Sequence, residues 1–202
     1  MSRPGWLRAT HWLNAVAVVV LMQSGWRIYD AAPFLPVLIP KKLTLGGWLG
    51  GALQWHFAAM WLLAVNGIAY IAINLMTRRL LKTFFPVSVH ALIADFLDAV
   101  KLRLMHDRPG YNAIQRVAYL FVMIDLTVMV LSGLVLWKSV QFPLLRELLG
   151  GYEAARRVHF FAMAALVWFI VIHVAMVALV PKTLLPMIIG RRAHRAAGHA
   201  HA

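Results

Sequence analysis

The sequence of 202 residues contains no cysteine, and charged residues make up only 13% of it. Without cysteine the chain forms no disulfide bond, holds no iron–sulfur cluster through thiolates and attaches no haem through a Cys-x-x-Cys-His motif. A soluble domain carries roughly 25% charged residues. The hydrophobic fraction is correspondingly high, at 62%. The composition therefore excludes an ordinary soluble domain and indicates a membrane protein.

The apolar residues are concentrated in four long runs, separated by more polar connections. The runs are Trp6–Trp26, Trp48–Leu75, Val117–Trp137 and Val158–Val180. Each reaches the roughly 20 residues that an α-helix needs to cross the hydrocarbon core. Because lipid-exposed backbone must satisfy its hydrogen bonds internally, we expect an all-α membrane protein: a four-transmembrane-helix bundle forming one domain over residues 1–190. The first run is too long for a signal peptide and has no clear small-residue cleavage site, so we interpret it as a span.

Acidic residues are scarce, and 20 basic against 7 acidic residues give a net charge of +13. With the N-terminus inside, thirteen of the basic residues fall in cytoplasmic segments and seven on the opposite side. This bias predicts a bacterial inner-membrane protein with both termini in the cytoplasm. Contact with anionic lipid accounts for the remaining basic charge, so no nucleic-acid partner is expected.

The connections give three further expectations. Prolines at 33, 36 and 40 predict a non-helical outer segment over residues 30–47, which could cover the membrane surface or a partner. Apolar residues at helical spacing over residues 88–104, with Ser88 as N-cap, predict an amphipathic helix on the cytoplasmic membrane surface. This helix either completes the bundle, which we favour, or serves as a docking site. The basic tail, residues 191–202, is expected to be disordered.

Four of the nine histidines lie inside the predicted spans: His11, His56, His159 and His173. A polar side chain at membrane depth is energetically costly and indicates function by default. His159 and His173 are fourteen residues apart on the fourth span. At 3.6 residues per turn they lie on the same side of the helix, about 21 Å apart along its axis. One metal ion cannot bind both, whereas two cofactors stacked across the bilayer can each bind one.

Topology selects a second ligand for each cofactor by depth. His11 and His173 lie towards the cytoplasm, and His56 and His159 lie towards the exterior. We therefore expect two non-covalent b haems: an inner haem whose iron binds His11 and His173, and an outer haem whose iron binds His56 and His159. A metal or proton pathway through the same histidines is the alternative.

Small and acidic residues inside the spans have less specific interpretations. Ser24 with Gly25, and Ser132 with Gly133, could allow close helix packing or make room for a flat porphyrin. Asp125 lies in the third span. It could take part in proton uptake near a quinone or hydrogen-bond a neighbouring helix, and we favour the second role.

The histidine pattern, with one in each of the first two spans and two in the fourth, resembles the bacterial di-haem cytochrome b family. That family includes membrane subunits of nickel–iron hydrogenases, formate dehydrogenases and thiosulfate reductase, and a small superoxide oxidase. Three segments resemble the branch associated with periplasmic molybdopterin oxidoreductases: WHFAAMWLLAVNG (Trp55–Gly67), YNAIQRVAYL (Tyr111–Leu120) and GGYEAARRVHFFAM (Gly150–Met163). The resemblance covers the chain to about Gly190 and implies that the four histidines are axial haem ligands.

The resemblance also implies a function. Two b haems in series would pass single electrons between the quinone pool and a periplasmic redox partner, expected to be a molybdopterin oxidoreductase. An electron-transfer subunit is favoured over a stand-alone enzyme. One alternative is a self-sufficient superoxide:quinone oxidoreductase, since Arg156 and Arg157 lie close to His159 in the sequence. A haem-free transporter or metal channel is the other.

Overall fold

The structure of the protein is a computed structural model, and it describes residues 4–77, 90, 93–95, 97, 113–181 and 184–188. Within these residues all regular structure is helical, so the all-α fold class is confirmed. The long helices are α1 (Gly5–Ala31), α2 (Leu49–Met76), α3 (Ala113–Lys138) and α5 (Tyr152–Leu179). The short elements are a 3₁₀ turn (Lys41–Leu43), α4 (Pro143–Leu148) and α6 (Leu185–Ile188).

Three of the described helices, α2, α3 and α5, are long and apolar enough to cross a membrane, with 28, 26 and 28 residues. At 1.5 Å per residue each extends roughly 40 Å, which exceeds the roughly 30 Å hydrocarbon core. Only 17% of the residues in the most apolar window of each helix are buried. Their remaining apolar surface is suited to lipid. Helix α1 matches them in length, with 27 residues. It is more polar, and its role as the fourth span stays a prediction.

The chain divides into two compact units, and one of them contains α1, α2 and α6. In this unit α1 packs along α2. Beyond α1 the proline-containing segment is non-helical except for the 3₁₀ turn, as predicted. The backbone N–H of Leu45 returns to α1 and donates to the Gln23 carbonyl at 3.0 Å. Gly46 and Gly47, with φ of 104° and 70°, turn the chain into α2.

The other unit contains α3, α4 and α5, and α3 packs along α5. Helix α4 lies in the short connection between α3 and α5 and was not predicted; Pro143 occupies its first turn, where a missing N–H costs nothing. Gly150 and Gly151, with φ of 80° and 94°, turn the chain into α5. Both hairpins thus enter their second helix through a pair of glycines in the left-handed region, which favours glycine over residues with a side chain.

Five residues of the predicted amphipathic helix are described, and all five are helical: 90, 93–95 and 97. Ile93 and Leu97 are exposed, whereas Asp95 is buried and its Oδ2 accepts a hydrogen bond from the Ala113 N–H at 2.6 Å. Asp95 therefore caps the beginning of α3. The rest of the predicted surface helix, and the tail over residues 191–202, lie outside the described residues.

Candidate functional site

The four predicted ligands lie on three helices: His11 on α1, His56 on α2, and His159 and His173 on α5. Helix α5 is continuous, so the fourteen-residue separation of its two histidines corresponds to about 21 Å along one side. Each predicted ligand pair draws one histidine from each of the two compact units. The pairing itself stays a prediction.

His56 is held by a serine on the neighbouring helix. The Ser24 Oγ on α1 lies 3.1 Å from the His56 Nδ1. The same hydroxyl donates its single proton to the Val20 carbonyl at 2.6 Å. Since a hydroxyl has one proton and two lone pairs, Ser24 is left to accept a hydrogen bond from Nδ1–H. This places the imidazole lone pair on Nε2.

His159 has the same environment in the other unit. The Ser132 Oγ on α3 lies 3.0 Å from the His159 Nδ1 and donates to the Val128 carbonyl at 2.6 Å. Ser132 therefore also accepts from Nδ1–H, and the lone pair of this imidazole is again on Nε2.

A glycine follows each of these serines and leaves room for the ring. A β-carbon on Gly25 would lie 3.5 Å from the His56 Cε1, and one on Gly133 would lie 3.3 Å from the His159 Cε1. The group that each glycine approaches is an imidazole, which neither interpretation of these small residues anticipated.

The two hairpins share further details around the histidine. His56 is the eighth residue of α2, and His159 is the eighth residue of α5. Each is flanked by buried alanines four residues before and three residues after it: Ala52 and Ala59, and Ala155 and Ala162. This correspondence was not predicted from the sequence. Its signal is a Ser-Gly dipeptide in the first helix and an Ala-x₃-His-x₂-Ala pattern in the second.

This donor geometry fits haem iron. Metal-binding histidines typically donate the proton of one ring nitrogen to an acceptor, which fixes the tautomer and orients the other nitrogen towards the metal. The remaining histidines have aromatic neighbours. The Phe169 ring stacks on His173 with centroids 5.8 Å apart, and the Trp12 ring meets His11 edge-on at 5.5 Å. Flat aromatic surfaces beside the imidazoles suit a porphyrin.

In the part of the chain that the structure describes, no three His, Cys, Asp or Glu side chains converge. Single imidazoles, each with its own hydrogen-bond acceptor, suit a haem, which two such histidines would hold.

Asp125 lies in α3, only 8% exposed. Its Oδ2 is buried and has no hydrogen-bond partner among the described residues, so the expected bond to a neighbouring helix is not seen at this atom. The carboxyl lines a groove of about 470 Å³ between α3 and α5, which Arg157 also lines. Arg156 instead lies 3.6 Å from the Glu153 carboxylate.

The fold and these supported imidazoles define a membrane helical protein of the cytochrome b class. Residues 2–190 match the model of the prokaryotic cytochrome b561 family, and the chain belongs to that family. It is therefore a membrane-integral protein that carries out transmembrane electron transfer. Membership of the family implies b-type haem.

Two curated relatives have more specific names. A protein of Azospira oryzae named as a protein-methionine-sulfoxide reductase subunit, YedZ1, is 69% identical over 188 residues, which cover 93% of this chain and 95% of the relative. A protein of Cupriavidus necator named as a Ni/Fe-hydrogenase B-type cytochrome subunit is 26% identical over 187 residues, covering 83% of this chain and 74% of the relative. No solved structure matches the chain.

Proposed function

We propose that the chain carries electrons, one at a time, from a membrane quinol through two b haems to an oxidoreductase partner at the outer membrane face. The inner haem would be held by His11 and His173, and the outer haem by His56 and His159. The observation that carries this proposal is the pair of serine-supported imidazoles, because their tautomer suits an axial ligand. The fourteen-residue separation of His159 and His173 on α5 supports two haems rather than one.

The chain's own residues would provide binding and orientation. When bound, each haem supplies one-electron redox chemistry. With two histidines to hold each haem, the group would supply electron transfer rather than oxygen binding. The serines on α1 and α3 orient two of the four imidazoles. The apolar helix surfaces exclude water from the path between the two ends.

The similarity to the Azospira oryzae protein supports a partner that reduces methionine sulfoxide in proteins. Reduction of a sulfoxide to a thioether consumes two electrons and two protons and forms water. Oxidation of one quinol to a quinone releases two electrons and two protons. One quinol thus balances one sulfoxide. A molybdopterin cofactor in the partner is the expectation that the family resemblance adds.

The proposed topology has four spans, with both termini in the cytoplasm of the inner membrane. The Arg8 Nη1 donates to the Ile188 carbonyl at 3.2 Å, and the Trp12 Nε1 donates to the Met187 carbonyl at 3.1 Å. The first helix therefore begins beside the last described helix. An even number of spans would bring these two ends to the same membrane face.

The first test is a haem count on the purified full-length protein in detergent, by pyridine haemochrome and redox-difference spectra. We expect two b haems per chain and their reduction by decylubiquinol. Absence of haem, under conditions that saturate a control cytochrome, would overturn the proposal.

The second test addresses the partner. Haems reduced by quinol should be reoxidised by a periplasmic reductase co-purified with the chain when a methionine-sulfoxide peptide is present. The exposed Arg157 near His159 keeps a superoxide-dependent reaction as the second candidate. Quinone reduction by superoxide with the purified chain alone would favour that candidate.

A further inference from the structure

We propose that Ser24 and Ser132 are positioning residues that lower the redox potential of the outer haem relative to what its ligands alone would give. This proposal rests on the proposed function, since it requires His56 and His159 to bind the outer haem iron. Both hydroxyls make the same contacts: a short one to the carbonyl four residues earlier at 2.6 Å, a longer one to the carbonyl three residues earlier at 3.2 Å, and one to Nδ1 of a histidine. Neither serine is exposed at all.

The bond to the carbonyl determines the direction of the bond to histidine. Each serine gives its only proton to its own helix at 2.6 Å, so its oxygen accepts from the imidazole. A ligand imidazole whose other N–H donates to an acceptor is a stronger base, and a stronger base stabilises ferric over ferrous iron. Both ligands of one haem are affected in this way, so their effects should act in the same direction.

The test is a potentiometric titration of the full-length holoprotein carrying Ser24→Ala, Ser132→Ala or both. Loss of a hydrogen-bond partner of a metal ligand typically lowers metal affinity or activity 10- to 100-fold. We expect each single variant to change the ferric-to-ferrous ratio of the outer haem about tenfold, an upward shift of about 59 mV for one electron. The inner-haem potential should not move.

Thr127→Ala is the matched control. Thr127 also lies on α3 and donates its hydroxyl to a carbonyl four residues earlier, at 2.7 Å, but it is exposed and contacts no histidine among the described residues. Its removal should leave both potentials unchanged. Ser132→Cys, which nearly preserves the side-chain volume but supplies a weak acceptor, separates the hydrogen bond from packing. It should shift the outer haem in the same direction as alanine.

The outcomes separate this proposal from the proposed function. If the unmodified protein binds two haems and the alanine and cysteine variants keep its potentials, the serines have no positioning role and the haem assignment stands. Equal shifts of both haems, or shifts as large in Thr127→Ala, would also overturn the proposal. If the unmodified protein binds no haem, the proposed function itself fails.

We also infer, from a different observation, that the groove around Asp125 binds the headgroup of a lipid-soluble quinol. The groove lies wholly between α3 and α5 and has a volume of about 470 Å³. Its walls are apolar and include Phe121 and Phe161, a typical lining for a small-molecule site with few polar groups. Ile124 and Phe161 are 65% and 56% exposed, so the groove opens at the surface of this helix pair.

The polar groups of the groove suit the two oxygens of a quinol. The buried Asp125 Oδ2 has no partner among the described residues and is costly to leave unbonded. A carboxyl group exchanges hydrogen bonds with a quinol hydroxyl or a quinone carbonyl. The exposed Arg157 adds donors at the rim.

The groove lies nearer to His159 than to His173 along α5, so a quinol bound there would reduce the outer haem first. This site therefore replaces passage through both haems, as given in the proposed function, by entry of electrons at the outer haem. Asp125 precedes Ser132 by seven residues on α3, about 10 Å along the helix, and Ser132 contacts His159. The groove residues Val158 and Ala165 lie on a different side of α5 from His159 and His173. Around the helix axis they are about a quarter to a third of a turn away from the side that carries the two histidines. A quinol could therefore occupy the groove without displacing a ligand.

The probe is decylubiquinol, with Asp125→Leu and Asp125→Asn compared with Thr127→Ala. We expect Asp125→Leu to raise the KM for haem reduction at least tenfold, and Asp125→Asn to raise it less, because an amide keeps one acceptor. Haem content and the dithionite-reduced spectrum should stay unchanged. An unchanged KM in Asp125→Leu would overturn this site. If decylubiquinol fails to reduce even the unmodified protein, the quinol step of the proposed function fails instead.

Discussion

Gly133 lies so close to His159 that a β-carbon at its position would come within 3.3 Å of the imidazole Cε1. The equivalent distance from Gly25 to His56 is 3.5 Å. The first value is tighter than an ordinary van der Waals contact, and the second is ordinary. The two hairpins therefore share one construction but differ in how much space they leave beside the ring.

This difference predicts unequal effects of Gly133→Ala and Gly25→Ala. Gly133→Ala should displace the His159 ring and perturb the outer haem, seen as a changed low-spin ferric electron paramagnetic resonance signal. Gly25→Ala should perturb it less. Gly67→Ala is the control, because a β-carbon there meets nothing within 4 Å. Larger perturbation by Gly25→Ala than by Gly133→Ala would contradict the geometry.

Removal of single ligands should remove single haems. We expect His56→Ala and His173→Ala each to lose about one of two b haems, with a different haem remaining in each variant, because each haem would lose one of the two histidines proposed to hold it. The pyridine haemochrome measures the amount, and a redox titration identifies the haem that stays. His90→Ala, at an exposed histidine outside the long helices, should retain both. Equal retention in all three variants would refute the ligand assignment.

Asn66 should stabilise the α1–α2 hairpin. Its buried amide donates to the Thr10 carbonyl at 2.8 Å and to the Asn14 Oδ1 at 2.6 Å. Asn66→Ala loses both bonds between helices, and we expect a decrease of about 1–2 kcal/mol in the free energy of unfolding. Reversible unfolding in mixed detergent micelles measures it.

Asn74→Ala provides the comparison for Asn66→Ala. Asn74 is equally buried, but its amide donates to the Tyr70 carbonyl within α2. Its removal should therefore cost less than that of Asn66. The reverse order would show that the Asn66 bonds do not hold the two helices together.

Asp95 should stabilise the first turn of α3, because its carboxylate accepts a bond from the Ala113 N–H. The loss of such a cap costs about 1 kcal/mol. Asp95→Ala should speed hydrogen exchange of the amides at the beginning of α3 several-fold and leave those of α5 unchanged. Glu147→Gln, in α4, is a control that removes an acidic charge from the same unit. If Asp95→Ala, like Glu147→Gln, does not raise exchange at the beginning of α3 above that in the rest of the helix, the capping role is excluded.

Much of the fold followed from periodicity and length. The four predicted runs correspond to α1, α2, α3 and α5, and the prolines after α1 interrupt the helix as expected. Helix α4 was missed because six residues within a short connection give no periodic signal. Asp95 falls within the predicted surface helix, but its carboxylate is buried against the beginning of α3. A bond to a residue eighteen positions away leaves no trace in local spacing.

The sequence by itself determined that the protein is helical and membrane-integral, because the length and apolarity of a run decide what can cross a bilayer. It also indicated the four histidines as candidate ligands, since few polar residues occur inside such apolar runs. Only the tertiary structure decided that Ser24 faces His56 and that Ser132 faces His159. The registers of α1 against α2 and of α3 against α5 bring these atoms together, and register depends on packing along the whole helix rather than on local sequence.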